Sequence, residues 1–327
     1  MTERPFRYLR TVTGRSEKTE VFMYDIIVIG AGPAGMTAAI YALRAGKKVL
    51  VVEKENVGGQ IVNSPRVENY PGFAQISGSD FADALMEQVT SLGADFAYRE
   101  AKEIVDCGDK KTVICGKKSF DARCVIIASG SKHKKLGIAD EDRLVGAGVS
   151  YCAVCDGAFF AHKDVAVCGG GNTALQDALY LADICRKVYL IHRRTEFRGD
   201  AELAERLKSV SNVEIITPCV IKKLVGDNEL SSLLLDKNGD EKTIEVSGLF
   251  IAVGQKPETE NFADVIKLDS AGYAASGEDC KTVTEGIFVA GDCREKSVRQ
   301  LTTAVGDGSA AAVAAAEYLN DTEKVKK

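Results

Sequence analysis

The residues best suited to do chemistry lie near the middle of the chain, in Cys152-Ala153-Val154-Cys155-Asp156. Two thiols at this spacing can ligate zinc, form a structural bridge, lie buried and inert, or shuttle electrons as a redox pair. Spacing alone does not choose among these. Asp156 adds a carboxyl. Desolvation and a neighbouring negative group would raise its pKa and suit it to protonate a leaving thiolate. An aspartate there can equally cap a helix starting near Gly157. The three histidines, His133, His162 and His192, fall outside the motif. Neither a second C-x-x-C nor an H-x₃₋₅-H is present, so a zinc site is short of ligands.

A second chemistry is written in glycines. Gly30-Ala31-Gly32-Pro33-Ala34-Gly35 follows the apolar run 26–29, which reads as a buried parallel strand. Gly30 allows the tight turn, Gly32 lets backbone approach a pyrophosphate, and Gly35 lets helix pack on strand. Pro33 suits the first helical turn, and the helix N-terminus favours phosphate. A second apolar strand, 49–52, runs into Glu53, which can accept hydrogen bonds from a ribose.

The pattern recurs. Strand 165–168 leads into Gly169-Gly170-Gly171-Asn172-Thr173-Ala174, then a helical stretch and strand 188–191. Glu53 lies 23 residues after Gly30, and His192 lies 23 residues after Gly169. Arg193, Arg194 and Arg198 follow at once. An acid at that place suits a free 2′-hydroxyl, whereas arginine suits a 2′-phosphate, which guanidinium binds bidentately. The second site therefore reads as NADPH-preferring. Two dinucleotide sites in one chain imply two cofactors that exchange electrons.

The elements that must position these groups follow. A chain of 327 residues is expected to form two domains. A third strand, 287–290, ends at Gly291-Asp292, where a carboxylate at a sheet's carboxyl edge can bind a ligand hydroxyl. An Ala-rich helix over 300–319 would start at the same crevice. Segments 125–133 and 249–257 read as strands flanking a hinge, with the second nucleotide unit inserted in the first. The stretch that follows the first of them is polar and turn-like. Net charge of −5 disfavours a broad nucleic-acid surface, and no apolar run approaches the roughly 20 residues of a membrane helix. Ten cysteines without framework spacing fit a reducing cytoplasm. Residues 1–22 read as a disordered extension ahead of Met23, or as an upstream start; their acids disfavour a transit peptide.

From about Tyr24 to Leu319 the chain resembles the low-molecular-weight thioredoxin reductases, NADPH-dependent flavoproteins of the pyridine nucleotide–disulfide oxidoreductase class. GAGPAG, GGQIVNSPRVENYPGF, CAVCDG, GGGNTA, HRRTEFR and GIFVAGDC…RQ carry the resemblance, in family order. It implies an α/β fold of two Rossmann-like three-layer domains, the NADPH domain (135–258) inserted into a discontinuous FAD domain (23–134 and 259–320), with a charged tail at 321–327. FAD would be held by Gly30, Gly32, Pro33, Ala34, Gly35, Glu53, Gly58, Gly59, Gln60, Asn69, Gly130, Gly291, Asp292, Arg299, Gln300 and Leu301. NADPH would be held by Gly169, Gly171, Asn172, Thr173, His192, Arg193, Arg194 and Arg198.

By the same resemblance Cys152 and Cys155 are a redox disulfide and Asp156 the general acid. Hydride passes from NADPH to FAD and on to that disulfide. Cys155 lies nearer the flavin, and Cys152 attacks the disulfide of a partner, thioredoxin by default. Rotation of the inserted domain would let one flavin face meet nicotinamide and disulfide in turn. A homodimer is implied too. The chain departs from the pattern at Ser129, in the missing proline after His133, and at Cys293, where an apolar residue is usual. A related dithiol oxidase or a ferredoxin-fed reductase is the alternative, and both would be expected to lack the arginines. A non-catalytic nucleotide-sensing protein would have no need of Cys152, Cys155 and Asp156.

Overall fold

The computed structural model describes residues 23–325. The expected N-terminal extension lies outside them. The described chain divides after Lys132 and again after Gln255, so that 133–255 forms one unit and the flanking segments together form another. The chain leaves the first unit along Ser131–His133 and returns along Gln255–Pro257, two short strands that pair with each other. The division thus falls two residues before the expected 134 boundary and three before 258. Segments 125–133 and 249–257 are not single strands. Each is a long strand (Lys118–Ile127, Gly248–Ala252) broken by a glycine-containing turn from a short one.

The first unit is built on a seven-stranded sheet. Met23–Ile29 lies between Val49–Glu53 and Lys118–Ile127, parallel to both, and Ile287–Val289 extends the parallel row. Side chains alternate across a sheet with period two. Ile26, Val28, Val49, Val51, Cys124 and Ile126 share one core with the helices Pro33–Arg44 and Leu301–Val325. Ile27, Ile29, Leu50, Val52, Val125 and Ile127 form the opposite core. Burial on both faces explains why these strands read as unbroken apolar runs. The helices approach closely because Gly308 has no side chain: a Cβ there would lie 3.0 Å from Thr37 Cβ. The last helix begins at Leu301 and continues to Val325. It therefore absorbs most of the expected tail, since Asp321 and Lys324 pair along it at 3.0 Å.

The second unit holds a five-stranded parallel sheet in the order Val213–Ile216, Lys187–Ile191, Asp164–Gly169, Gly248–Ala252, Val149–Ser150. Helices Asn172–Ala182 and Ala201–Lys208 cover one face. The antiparallel sheet Val220–Val225, Ser232–Lys237, Asp240–Glu245 shares a core with the other. The turn-like reading of the stretch after His133 is corrected by a helical turn, Glu141–Leu144, anchored by the buried Glu141 carboxylate on the N–H groups of Leu136 and Gly137. The edge strand Val149–Ser150 delivers the chain directly into the cysteine motif.

Candidate functional site

In the first unit, Gly30 adopts φ +104° and a Cβ there would meet the backbone of Ala128. Gly35 sits against Gly30 itself, where a Cβ would lie 3.0 Å from its carbonyl carbon. Gly32, by contrast, precedes the helix with nothing nearer to its missing Cβ than 4.0 Å. Pro33 opens the helix. Its neighbours Ala34 and Gly35 carry first-turn N–H groups, which have no intrahelical acceptor. The Gly58 N–H donates to the Ala31 carbonyl at 2.8 Å and brings Gly59 alongside Gly32.

Glu53 is buried, and both carboxylate oxygens are engaged. Oε2 accepts from the Ala31 N–H and Oε1 from the Glu55 N–H, each at 2.7 Å. Gln60 lies exposed on the turn Gly59–Asn63. Asn69 Nδ2 donates to Gln300 Oε1 at 3.3 Å, joining two residues far apart in sequence that the resemblance places in one site. Gly130 has φ +72° and open space around it.

At the end of Ile287–Val289 the chain turns through Gly291, whose N–H donates to Asp307 at 3.0 Å. Arg294 and Lys296 also bind Asp307, each at 2.9 Å. Burial pushes the Asp307 carboxyl up, but these two cations outweigh it and hold it below its ordinary value. Sequence reasoning misses Asp307, although a carboxylate inside an Ala-rich helix is itself a signal. Arg299 stacks on Tyr273 at 3.9 Å and reaches the carbonyl groups of Asp292 and Arg294, so it braces this turn. Leu301 begins the helix after it. Asp292 Oδ1 is buried without a hydrogen-bond partner, and burial raises its pKa. Such an orphaned acceptor is what a ligand hydroxyl would satisfy. Cys293 is fully buried, with Sγ 3.3 Å from the Ala290 carbonyl, so it is an inert thiol.

In the second unit the glycine loop repeats. A Cβ on Gly169 would lie 2.7 Å from Ala174 Cβ, whereas nothing lies within 4 Å of the Cβ position of Gly171. Asn172 and Thr173 start the helix, and Asn172 Oδ1 accepts from the Asp200 N–H at 2.6 Å. His192 is buried against Gly170 and stacks on Phe197 at 5.5 Å. Arg193, Arg194 and Arg198 are exposed, make no ion pair among the described residues, and line a cavity of about 440 Å³ with Thr195, Glu196, Phe197 and Pro218. Sequence reasoning does not single out Phe197, since only folding brings it onto His192.

Cys152 and Cys155 form a disulfide, with Cα atoms 5.3 Å apart. Cys152 caps the short helix Ala153–Asp156, its Sγ accepting from the Cys155 N–H at 3.2 Å. Asp156 does not cap the turn Gly157–Phe160. Its carboxylate instead accepts from Ser150 Oγ at 2.6 Å, and the same Oγ accepts from the Cys152 N–H at 3.0 Å. Burial raises the Asp156 pKa and the Ser150 hydrogen bond works against it. Asp177, on the neighbouring helix, is raised by burial to about 6.

The sequence matches the Pyridine nucleotide-disulphide oxidoreductase family over residues 24–308. It is 43% identical over 309 residues to the thioredoxin reductase of Listeria monocytogenes, covering 94% of this chain and 97% of that protein. To the thioredoxin reductase of Bacillus subtilis it is 40% identical, covering 94% and 99%. The crystal structure of thioredoxin reductase from Streptococcus pyogenes superposes with a TM-score of 0.89 at 39% identity, covering 91% of this chain and 99% of that one. The chain belongs to the pyridine nucleotide-disulphide oxidoreductase family and, within it, to the thioredoxin reductases.

Proposed function

We propose that the protein is an NADPH-dependent, FAD-containing reductase of protein disulfides, with thioredoxin as its partner and a homodimer as its working form. The observation that carries this reading is the presence, in one unit, of an arginine-lined cavity and a disulfide with an adjoining half-buried carboxyl. FAD fits the first unit. The open face of Gly32, the first-turn N–H groups of Ala34 and Gly35, and the orphaned Asp292 oxygen are what a pyrophosphate and a polyol need. NADPH fits the second, where Gly171 is open and three guanidinium groups await a phosphate. When bound, NADPH supplies hydride and FAD turns it into the electron pair that opens a disulfide.

The chain's own residues perform the exchange. The Cys155 N–H at Cys152 Sγ favours a thiolate there. That thiolate attacks one sulfur of the partner's disulfide and releases the other as a thiolate, which Asp156 protonates. Cys155 then attacks Cys152 Sγ, re-forms the Cys152–Cys155 bond and frees the second partner thiol. The arginine cavity speaks against the oxidase and ferredoxin-fed alternatives. Rapid mixing with NADPH is expected to bleach the flavin absorbance. Cys152→Ser is expected to retain that bleaching while losing reduction of a thioredoxin disulfide by more than about 10³-fold. An unchanged flavin spectrum in the wild type would refute the reading.

A further inference from the structure

Gly170 is the middle residue of the second glycine loop, and its φ is ordinary, so backbone conformation does not require glycine there. Space does. A Cβ at Gly170 would fall 2.5 Å from His192 Nε2 and closer still to two other ring atoms. The His192 ring fills the volume a side chain would need. The Gly170 carbonyl meanwhile accepts from the Arg198 N–H at 2.7 Å and the Gly199 N–H at 3.1 Å. Gly199 is pressed against the start of the helix, where a Cβ would lie 2.6 Å from Leu175 Cδ1 and 3.0 Å from Asn172. Asp200 is tied to Asn172 Oδ1.

The arm 193–198 is therefore fastened at both ends to the glycine loop. His192 holds the end where it leaves the strand, and Arg198 with Gly199 holds the end where it returns. Phe197, stacked on His192, closes the arm on itself. Arg193 and Arg194 between these fastenings, and Arg198 at the second, are exposed on a segment tied to the loop at both ends.

We propose that Gly170 and His192 act as a steric latch, a pair of positioning residues that sets the 2′-phosphate arm in register with the pyrophosphate loop. His192 thus serves the nucleotide by packing beneath the loop, and selectivity for a 2′-phosphate depends on the missing side chain at 170. The inference rests on the reading of this unit as the NADPH site. A methyl group at 170 must displace the ring, and with it the arm.

Binding of 2′,5′-ADP to the full-length flavoprotein, measured by calorimetry, tests the latch without any turnover. Wild-type protein that fails to bind 2′,5′-ADP would sink the NADPH reading itself. If it binds, Gly170→Ala is expected to weaken binding about tenfold, in line with the usual cost of overpacking. In steady state the same variant should raise KM for NADPH with kcat within about threefold. His192→Ala alone is expected to cost about threefold by loosening the arm. Added to Gly170→Ala, it should restore affinity to the His192→Ala level, because the methyl then has room. Undiminished binding by Gly170→Ala, or a loss that His192→Ala does not relieve, overturns the proposal. Should Gly170→Ala fail to fold, unchanged affinity in His192→Ala overturns it instead.

Discussion

The two glycine loops share a backbone plan and differ in what completes it. In both, the carbonyl of the loop's second residue is claimed by a returning segment: Ala31 by the Gly58 N–H, Gly170 by those of Arg198 and Gly199. In both, the residue 23 positions after the first glycine braces that same second residue. Glu53 does so with a hydrogen bond to the Ala31 N–H, and His192 does so by packing its ring on Gly170. A hydrogen bond to backbone leaves room for the Ala31 methyl, whereas an aromatic ring does not, so glycine is needed only at 170. In each unit a residue at or just past a strand end, Glu53 or His192, holds the loop from one side, and the returning segment holds it from the other.

The largest test of this contrast is the arm. Lys54, next after Glu53, is paired with Glu258 at 2.8 Å, whereas Arg193, next after His192, has no ionic partner among the described residues. Replacing Arg193 and Arg194 together with alanine should raise KM for NADPH by about 150-fold or more, since two guanidinium–phosphate contacts at about 1.5 kcal/mol or more each contribute at least about 3 kcal/mol. KM for NADH should stay within about threefold. Steady-state kinetics with both nucleotides decides it, and an equal loss for both would mean that the arm serves the loop rather than the phosphate.

The next test is the brace of the first loop. Glu53→Ala leaves the Ala31 and Glu55 N–H groups without their acceptor. The Ala31 donor is buried and costs about 1–3 kcal/mol when left unsatisfied, and the partly buried Glu55 donor costs less, so the loss should be about 3 kcal/mol. Urea unfolding of the flavoprotein, followed by flavin release, measures it. Glu53→Gln keeps a carbonyl for one donor and should recover about half of the loss. Stability unchanged in Glu53→Ala would break the analogy between the two braces.

Much of this plan is legible in the amino-acid sequence. Gly30 and Gly35 announce themselves because backbone crowding leaves glycine alone able to occupy them. The parallel strands show as apolar runs because both faces are buried. What escapes a linear reading depends on contacts made only in the folded chain. Asp307 meets the Gly291 turn from within the last helix, and Phe197 meets His192 across the arm. Polarity rises after Leu319 and reads as a helix end, but i,i+3 pairing carries the last helix on to Val325. Asp156 stands at the cap position of the turn Gly157–Phe160, yet its carboxylate turns back to the Ser150 hydroxyl and makes no cap hydrogen bond. A local reading cannot see that competing partner.

The same plan, a strand-end side chain bracing the next turn, recurs at the cysteines and gives the smallest and sharpest test. Ser150 ends the edge strand Val149–Ser150, is buried, accepts from the Cys152 N–H and donates to Asp156 Oδ2. Its hydrogen bond favours the charged carboxylate, opposing the burial that raises the Asp156 pKa. Ser150→Ala removes the opposing influence, so the pKa of Asp156 should rise further. A general acid works in its protonated form, and its activity falls as pH passes upward through its pKa. The alkaline limb of the disulfide-exchange step should therefore move to higher pH in Ser150→Ala, while the rate on the acid plateau falls only about threefold from looser placement of the Cys152 turn. Asp156→Asn should remove that limb altogether, and Ser150→Thr, which keeps the hydroxyl, should leave it in place. Single-turnover oxidation of the reduced enzyme by a thioredoxin disulfide across a pH series reads all three. A limb that shifts to lower pH in Ser150→Ala would show that the serine serves the neutral acid, and that this brace differs in kind from the other two.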